Sequence, residues 1–534
     1  MKFYKKILVL CMVFCLFLLS SCNKKVENKP VEASKTASKV TIGFYDTKSY
    51  NPLLVKTEYN RHCFSLIFDS LYDMDENFRP IENLASELYL EEGGSVVSLR
   101  IKNNVRFHDG TELTAYDVSE SINFIINSED NYYKYNVRNI LSADAQNDYT
   151  VVLRLSNPAP NIKQQLTFPI VSASDLYEEK FPLNGSGAYK LRSENGGKEI
   201  NLELNKNYHR EFNTKITDVV MEIVPDLMTA RSLAGSGIVD AVFASFYDEG
   251  LKTVTKLQSL KNDYPTDEYT FIQLNYDNPI MYLKPFRKAL SQCVDREKMK
   301  SDAFMSHGNE AVLPINSVSW VDTSSYVTKR NLSEVKEALS EMGYEDTDKD
   351  NILDYVKEEK SDKSTEEITV ENELLEKNSL PKRLSFKILF LNSTLKAAIF
   401  NRLQKDFSEA GIELVAYPVE SYEEFYEKYT NKEYDLCIVT TNIGYDIDLG
   451  AFMSSSGAYG APMELGYENY LSKLSSTTEE DLKKQIYKQL CDDFYDNMPH
   501  IPLMFLNKTL IKNNKLKPEE GLFLNSIYYK ILQN

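Results

Sequence analysis

An α/β fold is what this sequence predicts, on three observations. Short stretches alternate apolar and polar residues with the two-residue period of a half-buried strand. Between them lie longer segments whose apolar positions recur every three to four residues, as on one face of a helix. No self-similarity at 20–50 residues runs through the chain, which sets solenoids and propellers aside. Strands and helices alternating in this way build α/β layers.

The elements follow in chain order. Residues 40–44 open the folded part as a strand, and 96–101 (VVSLRI) and 151–155 (VVLRL) are strands of the same kind. Asp109-Gly110 makes a tight turn, with Gly110 free to take a positive φ; Gly185 and Gly187 suit another turn. Thr114 caps a helix in which Asp117, three residues on, closes a capping box. Val118, Ile122, Ile125 and Ile126 form its apolar face. From Arg287 to Asp295, with Ala289, Leu290 and Val294 between, the pattern is a packed helix with charged ends. A further helix covers 333–342, with Val335, Leu339 and Met342 in register and Gly343 as a left-handed cap. Residues 395–410 are helical up to Gly411, and 433–440 (EYDLCIVT) form a buried strand. Residues 357–382 are densely charged and poor in aromatics, the composition of an exposed insertion.

The N-terminus carries export information. Lys2, Lys5 and Lys6 precede an apolar run from Ile7 to Leu19, and Leu19-Ser20-Ser21-Cys22 follows. The run is too short to cross a hydrocarbon core, which needs roughly 20 residues. A basic end, a short apolar stretch and small residues describe a signal peptide, here residues 1–21. A cysteine directly after the cut suits lipidation, because only a thiol forms the thioether to diacylglycerol. Cys22 and the polar stretch to residue 39 therefore make a lipidated tether, too poor in apolar surface to fold. The expected location is the cell envelope, with the chain anchored to a membrane and facing the periplasm or the exterior.

The formal charge is −18. Less the three lysine charges of the signal, the mature chain stands near −21. No Lys/Arg-rich block offsets this, so nucleic acid is excluded as a partner. Beyond the signal and Cys22, the cysteines are Cys63, Cys293, Cys437 and Cys491. They are free buried thiols or one of three pairings, and none has metal-type C-x-x-C spacing.

Five segments, in order, resemble one family. Asp69-Ser70-Leu71-Tyr72-Asp73, with Pro80 and Leu84-Ala85, is similar to its early F-x-x-L…P-x-L-A stretch. The run from Val97 to Val118, centred on Phe107-His108-Asp109-Gly110, follows its LRkgvkFhDGtplTAeDV pattern over more than twenty positions. Gly185-Ser186-Gly187-Ala188-Tyr189 resembles GTGPY. Asn275, Phe286-Arg287-Lys288-Ala289-Leu290 and Val294-Asp295-Arg296 match lN…vRqAl…aiDR, and Met498-Pro499-His500-Ile501-Pro502-Leu503 resembles aPiiPl. The family is the peptide/nickel class of solute-binding proteins that serve ABC importers.

That resemblance implies a two-lobed periplasmic-binding-protein fold, type II-like, with an extra subdomain on the N-terminal lobe. The lobes are expected at residues 40–270 and 271–500, with 501–534 returning to the N-terminal lobe. Crossings are expected near Phe271–Asn275 and Pro499–Phe505. It implies capture of a short peptide between closing lobes by a monomer, and delivery to a permease and ATPase complex. Relatives place an acid for the peptide amine after a g-W-x-x-D-x-x-D-P stretch. Here Tyr445 stands at the first Asp, Asp446 is one place away, and Asp448 is followed by leucine. Ligand candidates are therefore Asp446, Tyr445 and Asp448, with Tyr133 and Tyr459 as aromatic contacts. Nickel, haem or another small solute on the same fold, or a surface receptor or adhesin, are the alternatives.

Other chemistries lack their residues. Asp346, Asp348 and Asp350 have the spacing of a calcium loop, but Asn351 replaces the glycine and Lys357 the bidentate glutamate. The five histidines form no H-E-x-x-H, and neither a G-x-S-x-G elbow nor a phosphate-cradling loop is present. No enzyme activity, metal site or cofactor is expected.

Overall fold

The computed structural model describes residues 38–178, 181–244, 260–356, 380–477, 479–513, 516 and 527–533. The signal, Cys22, the tether to residue 37 and most of the charged insertion lie outside the described residues.

One sheet of 11 strands organises the chain. In chain order its members include β1 (Lys39–Tyr45), β2 (Tyr189–Asn195), β3 (Glu199–Leu204), β4 (Asp218–Val224), β5 (Ala241–Ala244) and β6 (Leu260–Leu274). They continue with β7 (Ser385–Leu391), β8 (Glu413–Val419), β9 (Leu436–Asn442) and β10 (Ile501–Lys512). The spatial order is β8-β7-β9-β6-β10-β5-β1-β4-β3-β2. β1 runs parallel to β4, and β7 runs parallel to β8 and β9, whereas β6 and β10 are antiparallel. β6 and β10 lie at the centre and are long, 15 and 12 residues.

The apolar side chains collect in two large cores. One gathers Ile42, Phe64, Leu99, Ile122, Phe168, Tyr264 and Leu510. The other gathers Tyr269, Phe286, Leu339, Ile388, Ile438, Phe494 and Leu506. On β6 Tyr264 belongs to the first core and Tyr269 to the second; on β10 Leu506 and Ile511 belong to the second and Leu510 to the first, so both central strands border both cores. Between them the pairing of β6 with β10 breaks: Pro265 faces Asn507 and Tyr269 faces Phe505, with Thr266, Asp267 and Glu268 outside that register, Glu268 pairing with Asn442 of β9. Proline has no N–H to give a ladder, and a bulge there bends the strand and re-aims its side chains.

A separate antiparallel sheet belongs to the first core: Ala85–Glu91, Val96–Ile101, Thr150–Leu155 and Ile140–Asn147, in that spatial order. The helix α1 (Ala115–Asn127) packs on it with Val118, Ile122 and Ile125 buried. Its capping box is formed, Thr114 N–H donating to Asp117 Oδ2 at 2.8 Å.

Two local expectations change. Residues 287–295 are not one helix. α2 (Lys284–Cys293) ends before Val294, and Asp295 caps α3 (Arg296–Asp302) by accepting from Lys298 N–H at 3.0 Å. Arg287 is fully buried, with its guanidinium on the carbonyls of Met281, Tyr282 and Asn497. Gly185 and Gly187 serve close approach more than turn conformation: a Cβ would stand 1.9 Å and 2.6 Å from the Ile67 backbone. His108 pins this segment, Nδ1 accepting from Gly185 N–H at 3.3 Å and Nε2 meeting Gly187 O at 3.0 Å. The four cysteines of the described residues are buried and unbridged.

Candidate functional site

A cavity of about 260 Å³ opens where the two cores meet. Its walls come from the first core, from the bulge between the cores, and from the loop after β9.

The helix Glu58–Phe64, capped by Thr57, supplies Glu58 and Arg61. Glu58 forms an ion pair with Lys508 of β10, and its other oxygen lies 3.7 Å from His62 Nε2. Burial alone would raise the Glu58 carboxyl; the His62 contact and the Lys508 charge overcome it and hold it well below the usual range. Arg61 lies flat on Tyr132, 3.5 Å from guanidinium carbon to ring centroid. Its buried Nε has no hydrogen-bond partner, and no carboxylate stands within 4.0 Å among the described residues.

Tyr132 and Tyr133 sit on a short turn that Asn131 fixes, its side chain accepting from Tyr133 N–H at 2.9 Å and donating to Leu53 O at 2.9 Å. Tyr133 is buried and packs edge-on against Tyr132 with ring centroids 5.3 Å apart. Tyr135 reaches across the cleft, its hydroxyl donating to Ile443 O at 3.2 Å.

Opposite stands the loop Ile443–Asp448. Gly444 has φ +89°, and a Cβ there would meet Asp446 Oδ1 at 2.6 Å and the Tyr135 ring at 2.9 Å, so a side chain is excluded twice over. Tyr445 packs edge-on to Phe78 with centroids 5.1 Å apart. Asp446 lies in the cavity wall, 5% exposed, and is engaged from the side of the first core. Arg138 forms an ion pair with it, Gln165 Nε2 donates to its carboxylate at 2.8 Å, and Asn161 Nδ2 donates to its carbonyl at 2.7 Å. Burial pushes the Asp446 carboxyl up against the pull of Arg138.

The bulge supplies Asp267. Its Oδ1 accepts from Asn442 Nδ2 at 2.8 Å and its Oδ2 from Gly444 N–H at 3.1 Å. No cation reaches ion-pair distance among the described residues, and burial raises this carboxyl above its ordinary value.

Three of the five sequence candidates, Asp446, Tyr445 and Tyr133, line this cavity together. Asp448 sits beyond it, 2.9 Å from Arg138, on an adjoining cavity of about 140 Å³. Tyr459 lines neither; it stacks on Phe452 at the margin of the second core, centroids 5.5 Å apart. Glu58, Arg61, Arg138, Asp267 and Lys508 escaped the sequence reading. Pro265 inside a strand-like run was the one available signal, for the bulge that presents Asp267. The turn at Asp346, Asp348 and Asp350 is exposed, brings its carboxylates within 4.8 Å, and pairs Arg383 with Asp348 and Asp350.

The model of the family "Bacterial extracellular solute-binding proteins, family 5 Middle" matches residues 79–461. Oligopeptide-binding protein AppA of Bacillus subtilis (strain 168) is 27% identical over 373 residues, 64% of this chain and 67% of that protein, so the chain spans about two thirds of that relative. A solved structure of AppA from Bacillus subtilis in complex with a nonapeptide covers 92% of this chain and 96% of its own, with 21% identity and a TM-score of 0.58. NikA from Brucella suis in complex with Fe(III)-EDTA covers 93% and 99%, with 15% identity and a TM-score of 0.69. Both structures share the two-lobed fold.

Proposed function

The chain belongs to the bacterial extracellular solute-binding proteins of family 5, and from that premise we propose that it captures short peptides between its lobes and delivers them to an ABC importer. Members of this family are non-enzymatic transport components. The observation that carries the reading is the charged and aromatic cavity where the two cores meet, walled by both and floored by strands that border them. Two lobes joined by such strands close around a ligand as a hinge, and a permease tells the closed form from the open one. We place the hinge at 265–269 and 506–510, a few residues from the crossings expected at 271–275 and 499–505, because the bulge lies there and β6 changes core across it.

Peptide is favoured over a chelated metal by the lining. Tyrosines offer apolar area with a hydroxyl to any side chain, and the carboxylates and guanidinium groups match the ends of a peptide. Asp446 and Tyr445 remain in the cavity wall. We assign Asp446 to lobe closure, since Arg138 and Gln165 already engage it.

The mature protein is further proposed to be a lipoprotein, held at the membrane through Cys22 and acting as a monomer. Replacing Cys22 with alanine should move it from the membrane fraction to the soluble one; an unchanged distribution rejects the anchor. For the solute, the protein is purified without added ligand, denatured mildly and analysed by mass spectrometry. Short peptides released in stoichiometric amount support the reading, whereas a metal chelate in their place overturns it.

A further inference from the structure

Counting the charges that face the cavity leaves two outside its ion pairs, with Glu58 within electrostatic reach of Arg61 and Lys508 within reach of Asp267. Glu58 is matched by Lys508, and Asp446 by Arg138. Arg61 and Asp267 have no ion pair within 4.0 Å among the described residues. Each is nonetheless held in place. Tyr132 fixes the plane of the guanidinium, and a guanidinium fork presents parallel donors that match a carboxylate. Asn442 Nδ2 and Gly444 N–H orient the Asp267 carboxylate and occupy two of its roughly four lone-pair sites, leaving acceptor capacity for a cation.

Arg61 and Asp267 are both half-buried, and each presents to one cavity a charge that no ion pair within 4.0 Å engages among the described residues. Tyr132 and Tyr445 stand within electrostatic reach of both the Glu58–Arg61 corner and Asp267. At about 260 Å³ the cavity lies below the roughly 300–1,000 Å³ of sites for drug-sized ligands. That room suits a solute of about two residues in this arrangement of the lobes.

We propose that the ligand is a short zwitterion, a peptide of about two residues with free termini, whose ammonium group docks on Asp267 and whose carboxylate docks on Arg61. This rests on the transport reading above and adds the ligand class and its two anchors. The ammonium completes the Asp267 hydrogen bonds and offsets the burial that raises its carboxyl. The carboxylate supplies the acceptor that Arg61 Nε lacks. Asp446 takes no part in recognising the amine.

The test is calorimetric titration of the full-length protein in detergent with four probes: Ala-Ala, N-acetyl-Ala-Ala, Ala-Ala-amide and a nine-residue polyalanine. Ala-Ala should bind, and blocking either end should weaken it roughly tenfold to hundredfold, the worth of a charge-assisted hydrogen bond. Asp267→Asn should lower affinity for Ala-Ala by a like factor while leaving N-acetyl-Ala-Ala unchanged. Arg61→Gln should do the same with the amide as its insensitive partner. Blocked ends that bind as well as free ends overturn the proposal without any variant having to fold. Tight binding of the nonapeptide alone overturns it too and leaves peptide transport standing. Failure of all four probes overturns the proposal, and the solute released from the purified protein then decides the transport reading.

Discussion

A Cβ at Gly185 would stand 1.9 Å from the carbonyl oxygen of Ile67, backbone that cannot swing aside. Gly185→Ala should therefore cost about 3 kcal/mol, the upper range for overpacking. Urea denaturation would register this as a lower midpoint at constant slope; an unmoved midpoint would refute the steric account. His500 poses a different problem, since it is 1% exposed with its Nε2 3.0 Å from the Tyr269 hydroxyl. Burial lowers it to about 3. Between that value and the unfolded one near 6.5, the unfolded chain binds a proton that the folded chain refuses. Its contribution is thus complete above pH 6.5 and falls as the pH drops, by about 2 kcal/mol at pH 5. His500→Gln removes the titration, so its melting temperature should fall less than that of the parent between pH 6.5 and 4.5. Parallel falls would exonerate His500. In the sequence both residues were recognisable as family positions, but the reason for each was not: one depends on a backbone 118 residues away, the other on aromatic packing.

At the scale of elements, local signals proved the most legible. The capping box at Thr114 and Asp117 and the left-handed glycines 110 and 343 formed as expected, because each is settled within a few residues. Asp117 also accepts from Ala173 N–H at 2.9 Å, tying α1 to a distant loop. Asp117→Ala should then cost about 2 kcal/mol, above the ~1 kcal/mol typical of a cap alone. A loss of only a few tenths in thermal unfolding would mean the tie to Ala173 contributes nothing. The break between α2 and α3 was missed because Arg287 and Asp295 read as ends of one helix, when one is buried on carbonyls and the other starts a new helix. Asp267 was missed for a like reason. A bulge is a mismatch between two strands, here β6 and β10 more than 230 residues apart, and one strand shows only its proline.

The whole molecule turns on what holds its lobes together over the cavity. Arg138, on the side of the first core, engages Asp446 and Asp448 on the side of the second, while Gln165, Asn161 and Tyr135 cross the same gap. A hinge that releases its solute needs such contacts to be only slightly favourable, and a 5% exposed carboxylate facing a 21% exposed guanidinium meets that need. Burial costs the pair much of its attraction, so closure is favoured without being locked. Arg138→Ala leaves Asp446 buried and uncompensated when the lobes meet, and should shift the balance toward the open form by roughly 2 kcal/mol, about thirtyfold. Small-angle scattering of the ligand-free variant should report a larger radius of gyration, with affinity for every peptide lowered alike. If Asp446 instead received the peptide amine, Asp446→Ala would weaken Ala-Ala and spare N-acetyl-Ala-Ala. Closure predicts equal losses on both. The double variant separates the readings further, because removing the acid as well as the base abolishes the stranded charge. Arg138→Ala with Asp446→Ala should recover part of the compactness that Arg138→Ala loses; strictly additive effects would show the two residues acting apart.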